Sequence, residues 1–361
     1  MVGSLPLWLS LVAPSVFVVQ KYAGWVAVSC YLATASLIVV WRTRIPLPGS
    51  PAAIRWSAAA TVALVVTAFL AIYPVVNVQT PGLGSDDDDA YNIGARALVA
   101  GHSPYDQVTY LGNALHPLPG SFFLAMPFVA LGTSAWQNVF WLTLFFLAVA
   151  WVTRSERRAL RLAWLVLALS PTVIHQVVTG TAYVANTIYV LLGLLWLTRT
   201  RHRTLAAIGW GVTLASRANF LLLMPFAAAW IAAREGWGAA IRATAFTGLT
   251  VVVLVAPFYL HDPAHFGPLE SANHLLRFDV FIPFAGEVTI ALMGVVAIVL
   301  AARPMTETTL FARCAIVQAL PVLIGTTISS VYRRRPDAAF AVYGTFAAWF
   351  VIIAIAMSEE R

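Results

Sequence analysis

The segment from Gly84 to Asp106, "GSDDDDAYNIGARALVAGHSPYD", contains side chains suited to acid–base and phosphate chemistry. Its most unusual feature is a run of four consecutive carboxylates, Asp86 to Asp89. Adjacent negative charges repel one another and are strongly hydrated, so we expect the run to face water or cations rather than hydrocarbon or a protein core. A carboxylate can remove a proton from a hydroxyl, and nearby polar groups can hold a sugar or grip a phosphate. The neighbours of this kind are Tyr91, Arg96, His102, Tyr105, Asp106 and His116.

A run of four aspartates also has simpler interpretations. On a loop it is typical of a solvated helix cap or of a weak cation site. A divalent cation can bind such a run, but adjacent side chains rarely converge on a single ion, so we expect no required metal and no other cofactor. The Tyr, His and Arg side chains nearby favour a functional site, because a plain solvated run needs none of them.

The composition is that of an integral membrane protein. Of its 361 residues, 60% are hydrophobic and 10% are charged, whereas soluble domains carry about 25% charged residues. We predict an all-α polytopic membrane protein that forms one transmembrane domain, residues 1–361, with about 11–12 membrane helices. No nucleic-acid-binding motif is present. The predicted segments are 5–20, 23–41, 56–76, 136–153, 162–178, 182–198, 204–217, 218–233, 243–260, 282–302, 309–331 and 338–357, the first two forming a retained membrane hairpin.

Clusters of arginine indicate which ends of these segments face the cytoplasm. The clusters are Arg42/Arg44/Arg55, Arg154/Arg157/Arg158/Arg161, Arg199/Arg201/Arg203 and Arg234/Arg242. The loops 77–135 and 261–281 then share the extracytoplasmic face, provided that 204–217 and 218–233 are two short helices meeting near Arg217. The run Arg333–Arg335 also falls on the outer face, against the positive-inside rule. Either the last two segments are misassigned or these arginines bind an anion.

Two short interfacial helices are predicted within the 77–135 loop. In "YNIGARALVAG" the apolar residues Ile93, Ala97 and Leu98 recur at helical spacing, and we expect Asp88 or Asp89 to cap the helix. Several prolines then interrupt the chain. The apolar run 121–132 is too short to cross a bilayer, which indicates an interfacial or re-entrant piece.

Candidate phosphate ligands also occur outside this loop. Arg217 lies between two apolar segments, where an arginine is costly unless it pairs or reaches a polar cavity. His274 and Arg277 lie in the 261–281 loop, and a solvated loop surface is an equal alternative for them. His175, beside Gln176, can line a cavity or be a hydrogen-bonded interior histidine.

The first outer loop resembles that of the polyprenyl-phosphate-dependent glycosyltransferases of the C superfamily, especially glycosyltransferase family 87. The matching residues are Asp87, Tyr91, Gly101, Pro104, Tyr105, Asp106, Tyr110, His116, Pro117 and Pro119. Further similarity lies in "SPTVIHQVVTGTAYVAN", where Thr181 stands in place of the family's Gln, in "GVTLASRANF" around Arg217, and in "APFYLHDPAHF". The resemblance covers about two thirds of the chain in a consistent order.

The resemblance implies an inverting transfer of a sugar, mannose in the family's mannosyltransferases, from a polyprenyl-phosphate donor to a hydroxyl of a lipid or glycan acceptor. It implies a bacterial plasma-membrane enzyme whose active site lies on the extracytoplasmic side among membrane lipids. We assign the general base to Asp87, with Asp88 next, because the aspartate run allows a shift of one residue. The predicted substrate-binding residues are Asp86, Asp89, Tyr91, Arg96, His102, Tyr105, His116, His175, Arg217, His274 and Arg277.

Two other classes of function fit the composition. A multi-pass transporter or lipid flippase is the main alternative, although such proteins tend to show internal repeats and ionisable groups near the bilayer midplane. Here the charges concentrate at the ends of the predicted helices, and no convincing repeat is visible. A non-catalytic membrane scaffold would leave the proline and aromatic pattern of the outer loop unexplained.

Overall fold

The fold is helical in a computed structural model that describes residues 4–80, 85–269 and 282–358. Within these ranges, one antiparallel bridge between Val108 and Ala114 is the sole strand-like pairing. Short 3₁₀ segments occur at Arg42–Arg44, Pro104–Asp106, Ala218–Leu223 and Ala339–Gly344. The α-helices are α1 (Ser4–Leu11), α2 (Ser15–Trp41), α3 (Pro51–Val76), α4 (Asp87–Val99), α5 (Pro119–Ala130), α6 (Trp136–Thr153), α7 (Glu156–Leu169), α8 (Pro171–Thr179), α9 (Tyr183–Arg199), α10 (Arg203–Leu214), α11 (Met224–Glu235), α12 (Trp237–His261), α13 (Ala285–Ala301), α14 (Glu307–Tyr332) and α15 (Thr345–Ser358).

The chain is an all-α multi-pass membrane protein, as its composition predicts. In the described ranges, six helical segments are long and apolar enough to cross a bilayer, and a bent pair, α7 with α8, makes a seventh. The six are α2, α3, α6, α12, α14 and the segment Ala339–Ser358. The apolar helices α5, α9 and α13 are shorter than a full span.

The described chain divides into two compact units. The first contains Met1–Val76, Asn138–Thr187 and Glu307–Arg361, and the second contains Asn77–Gln137 and Ile188–Thr306. In the first unit, α15 is the most enclosed helix, and its Trp349 packs edge-on against Phe145 at 4.9 Å between ring centroids. By contrast, only 6% of the most apolar stretch of α3 is buried. Such an exposed apolar surface is stable in lipid and not in water.

Two segments of the first unit that the sequence predicts as continuous helices are interrupted in the structure. The segment 5–20 is interrupted between α1 and α2, and the expected boundary near residue 22 appears instead as a kink at Gly24, whose φ is 76°. The segment 162–178 is bent by 85° between α7 and α8. The bend follows from the sequence Ser170-Pro171, because proline disfavours helical geometry at the preceding residue and lacks an N–H donor.

The second unit contains a hairpin formed by α10 and α11, which both pack on α12. Arg203 at the beginning of α10 forms an ion pair with Glu235 at the end of α11. These two ends therefore lie together, and the connection 215–223 forms the tip of the hairpin. The prediction of two short helices that meet near Arg217 is confirmed.

The same unit contains both short helices predicted in the 77–135 loop, α4 and α5, which pack against each other. Gly94 permits their close contact, because a Cβ there would lie 2.5 Å from the Phe122 ring. Beneath α4 lies an apolar cluster formed by Ala90, Tyr105, Leu115, Leu118, Phe122 and Phe266. The loop is therefore a packed structure with its own core.

Candidate functional site

The four aspartates lie at the N-terminus of α4. Asp86 precedes the helix, and Asp87, Asp88 and Asp89 form its first turn. The partial positive charge of a helix N-terminus stabilises carboxylates at these positions. The expected cap by Asp88 or Asp89 is wrong, because both lie inside the helix. Instead the Ser85 hydroxyl, which precedes the first turn, accepts a hydrogen bond from the Asp87 N–H at 3.2 Å.

Asp87 forms an ion pair with Arg217, the residue at the tip of the α10–α11 hairpin. The guanidinium Nη2 of Arg217 donates to Asp87 Oδ1 at 2.9 Å. The side chains of Arg217 and Asp87 are 16% and 15% exposed. Their partial burial strengthens the attraction relative to bulk water, while the remaining exposure leaves both groups within reach of a ligand.

Arg217 is positioned by backbone contacts between the hairpin tip and the beginning of α5. The Leu118 N–H donates to the Ser216 carbonyl at 2.9 Å, and the Gly120 N–H donates to the Ala215 carbonyl at 2.8 Å. A Cβ at position 120 would lie 2.4 Å from the Val212 carbonyl oxygen. Only glycine permits this approach, so the contacts of Leu118 and Gly120 fix the two residues that precede Arg217.

Asp86 and Asp89 bind the loop that follows α4. Asp86 Oδ2 accepts hydrogen bonds from Thr109 Oγ1 at 3.0 Å and from Asn113 Nδ2 at 2.7 Å. Asp89 Oδ2 accepts from the Tyr110 backbone N–H at 2.8 Å. These bonds attach residues 109–113 to the N-terminus of α4 and hold both carboxylates in defined directions.

Asp88 is buried, which contradicts the expectation that the run stays out of a protein core. Its exposed fraction is 1%, and its Oδ2 accepts a hydrogen bond from the Asn77 side-chain amide. Its backbone carbonyl accepts from Ser134 Oγ at 3.2 Å. The Asn77 donor offsets part of the cost of burying the carboxylate, and the Ser134 donor satisfies the backbone carbonyl. Asn77 is not among the predicted site residues. The only sequence feature that points to it is its position, as a polar residue directly after an apolar helix.

The structure places Tyr91 and Tyr105, two predicted substrate-binding residues, in the core beneath α4. The exposed fraction of Tyr91 is 0%, and its ring lies edge-on to Phe122 at 6.0 Å between centroids. The Tyr105 hydroxyl donates to the Pro117 carbonyl at 2.9 Å. Burial, followed by the neighbouring Tyr91, raises the pKa of Tyr105 well above its usual value. Both side chains belong to the core that supports α4 and the aspartate run.

The side chain of Tyr110 lies in the negative potential around the aspartate run. Partial burial, followed by the charges of Asp86, Asp88 and Asp89, raises the pKa of its phenol. The Tyr110 hydroxyl is protonated at neutral pH, as in an ordinary tyrosine, and can donate a hydrogen bond near the carboxylates.

The remaining predicted residues occupy separate positions. Arg96 and His102 are exposed at and beyond the C-terminal end of α4. The His116 Nδ1 atom lies 3.2 Å from the Gly267 carbonyl oxygen. His175 belongs to the first unit, where its Nε2 lies 3.0 Å from the Tyr22 hydroxyl. His274 and Arg277 lie outside the described residues.

Other side chains near the run are polar but do not form a cluster of metal ligands. Within the described ranges, no three His, Cys, Asp or Glu side chains are arranged to hold a metal ion. The carboxylates of Asp86, Asp88 and Asp89 are each directed to different hydrogen-bond donors. The expectation that no metal is required stays a prediction.

Comparison of the chain with protein-family models, with curated proteins and with solved structures returned no match.

Proposed function

We propose that the chain is an inverting glycosyltransferase. Its donor would be a sugar, mannose by family resemblance, linked to a polyprenyl phosphate, and its acceptor a hydroxyl of a lipid or glycan. The observation that carries the proposal is the ion pair between Asp87 and Arg217, which joins a carboxylate and a phosphate-binding group in a partly exposed site. We place this site on the extracytoplasmic face of a bacterial plasma membrane, on the grounds of the arginine distribution and the resemblance.

In the proposed reaction the acceptor oxygen forms a bond to the anomeric carbon of the donor sugar. The bond between that carbon and the phosphate oxygen breaks, and its electron pair leaves with the polyprenyl phosphate. The proton of the acceptor hydroxyl passes to Asp87. Arg217 stabilises the leaving phosphate, which needs positive charge rather than a strong acid.

The arrangement of the four aspartates supports Asp87 as the base. Asp86 and Asp89 hold the adjoining loop, and Asp88 is buried with Asn77. Asp87 instead contacts Arg217, for which a donor phosphate would compete, since a guanidinium binds a phosphate as well as it binds a carboxylate. Donor binding would then release the Asp87 carboxylate toward the acceptor hydroxyl.

The test is an in vitro transfer assay with a panel of polyprenyl-phosphate sugars. Loss of a general base typically costs about 10²–10⁴-fold in rate, so we expect Asp87→Asn to lose transfer on this scale, and more than Asp88→Asn. Glu287→Gln, which removes an exposed carboxylate at the beginning of α13, serves as the control with normal rate. Robust transfer by Asp87→Asn would disprove the base assignment. Failure of the wild type with every donor would instead favour the transporter class.

A charge exchange separates chemistry from structure. The double variant Asp87→Arg with Arg217→Asp retains an ion pair of opposite polarity between the same two positions. If the pair only supports the fold, this variant should recover both the melting temperature and transfer. Under the proposed mechanism, the double variant has a higher melting temperature than either single variant, while transfer stays lost.

A further inference from the structure

The first unit contains an apolar groove along α3, which we call the α3 groove. Three neighbouring cavities of about 530, 360 and 450 Å³ form it. Ile54 lines the first and second cavities, and Thr61 and Val65 line the second and third. The lining residues of α3 extend from Pro51 to Ala68, which corresponds to about 25 Å of helix axis. The groove therefore extends over more than half of the thickness of a bilayer's hydrocarbon core, which is about 30 Å.

The walls of the α3 groove are almost entirely aliphatic and aromatic. They come from α6 and α7, including Leu142, Phe146, Leu160 and Leu167. Side chains of α8 such as Val177 line the far end. Small residues at facing positions usually let membrane helices touch, but Ala58, Ala59, Ala150, Ala159 and Ala163 line an open space instead. The space has the length and character required by an extended alkyl chain.

One end of the α3 groove is charged. Its cavity is lined by Arg154 and Arg157, and Arg55 forms an ion pair with Glu156 at 3.1 Å at the same end. Trp151, which also lines this cavity, is 62% exposed. Arginine and tryptophan together are typical of the membrane–water interface, the level at which lipid phosphates lie. The groove therefore combines a positive mouth with an apolar interior.

We propose that the α3 groove binds a phospholipid with a net negative headgroup. Arg154 and Arg157 hold the phosphate, and one acyl chain extends along α3 toward Val177. A guanidinium group matches a phosphate in charge and geometry. The positive mouth then favours an anionic lipid over a zwitterionic one, because the headgroup cation of the zwitterionic lipid would be repelled by the arginines. The proposal does not depend on the glycosyltransferase assignment, because it concerns residues outside that site.

The experiment titrates the purified full-length chain in detergent with phosphatidylglycerol or phosphatidylcholine of identical acyl chains, and native mass spectrometry counts the retained lipid. We expect retention of phosphatidylglycerol and weak retention of phosphatidylcholine. Each of Arg154→Gln and Arg157→Gln should weaken phosphatidylglycerol binding about fivefold. Arg201→Gln is the matched control, because it removes the same charge from a residue that does not line the groove.

A second pair of variants tests the apolar interior. Ala58→Phe fills the α3 groove and should abolish the retained lipid, whereas Ala60→Phe, two residues along the same helix and absent from the lining, should bind normally. Melting temperatures identify any variant that fails to fold, and the arginine variants remain decisive in that case. Equal retention of the two lipids, or phosphatidylglycerol binding that both arginine variants leave unchanged, would overturn the proposal.

Discussion

At the residue scale, the four aspartates differ by what surrounds them. Their side chains are chemically identical, but Asp88 is 1% exposed, Asp86 and Asp89 accept hydrogen bonds from the adjoining loop, and Asp87 meets a guanidinium. Sequence alone identifies the run and, through the family resemblance, favours Asp87. What distinguishes Asp87 from its neighbours is its contact with Arg217, which is 130 positions away in the chain.

Arg217 provides the residue-scale prediction. Arg217→Lys keeps the charge but loses the planar guanidinium, which can donate two parallel hydrogen bonds to one phosphate. We therefore expect turnover to be on the order of tenfold lower. Arg217→Gln removes the charge that would stabilise the leaving phosphate, so the loss should reach about 10²–10³-fold. Steady-state kcat and KM for the donor, measured per folded molecule, check both values.

Arg242→Gln is the control for this series, because Arg242 is an exposed arginine near the beginning of α12. A purely structural Arg217 would give a different pattern. Its variants would then lower the melting temperature and the folded fraction, while kcat per folded molecule stayed at the wild-type value.

At the element scale, the junction between α5 and the tip of the α10–α11 hairpin determines where Arg217 lies. The elements themselves follow from local sequence: apolar periodicity for the helices, and Pro119 at the beginning of α5. Their docking does not, because the backbone bonds from Leu118 and Gly120 reach residues almost a hundred positions later. Local patterns contain no information on such pairings.

Gly120→Ala should disrupt this junction. The new Cβ would meet the carbonyl oxygens of Val212 and Ala215 at 2.4 and 2.7 Å, and backbone cannot move aside as a flexible side chain can. We expect a loss of about 1–3 kcal/mol of stability, together with reduced transfer. Thermal unfolding in detergent and the transfer assay measure the two effects.

Gly294→Ala is the matched control for the glycine substitution. Gly294 lies within α13, and a Cβ there meets nothing within 4 Å. Alanine is the better helix former by about 1 kcal/mol, so this variant should be neutral or slightly more stable. A Gly120→Ala variant as stable and active as Gly294→Ala would refute the importance of the junction.

At the scale of the whole molecule, the side of the membrane on which the aspartate site lies decides whether it can meet the extracytoplasmic donor of the proposed reaction. The arginine clusters predict that loops 77–135 and 261–281 face outward. The α10–α11 hairpin contains the reversal of the chain near Arg217 on which this prediction depends, because its two ends meet at Arg203 and Glu235. The predicted count of about 11–12 membrane helices stays a prediction, since six or seven segments of the described chain are long and apolar enough to span a bilayer. The outward orientation of both loops stays a prediction.

Cysteine labelling tests this orientation. In a chain whose Cys30 and Cys314 have been replaced, an impermeant maleimide added to intact cells should label Gln107→Cys and Ala264→Cys, both exposed positions. Gly49→Cys and Gly238→Cys, also exposed, lie at predicted cytoplasmic turns and should react only after permeabilisation. Labelling of Gln107→Cys and Ala264→Cys from opposite sides would invalidate the shared outer face.

The sequence by itself determined the class of protein, most of its helices and the position of its candidate site. Hydropathy and proline positions act over a few residues, and four adjacent carboxylates are visible without a structure. The tertiary structure alone decided that Asp88 is buried, that Tyr91 and Tyr105 lie in the core, and that Asp87 faces Arg217. These outcomes depend on side chains from distant helices converging on one another, and such contacts form only when the chain packs.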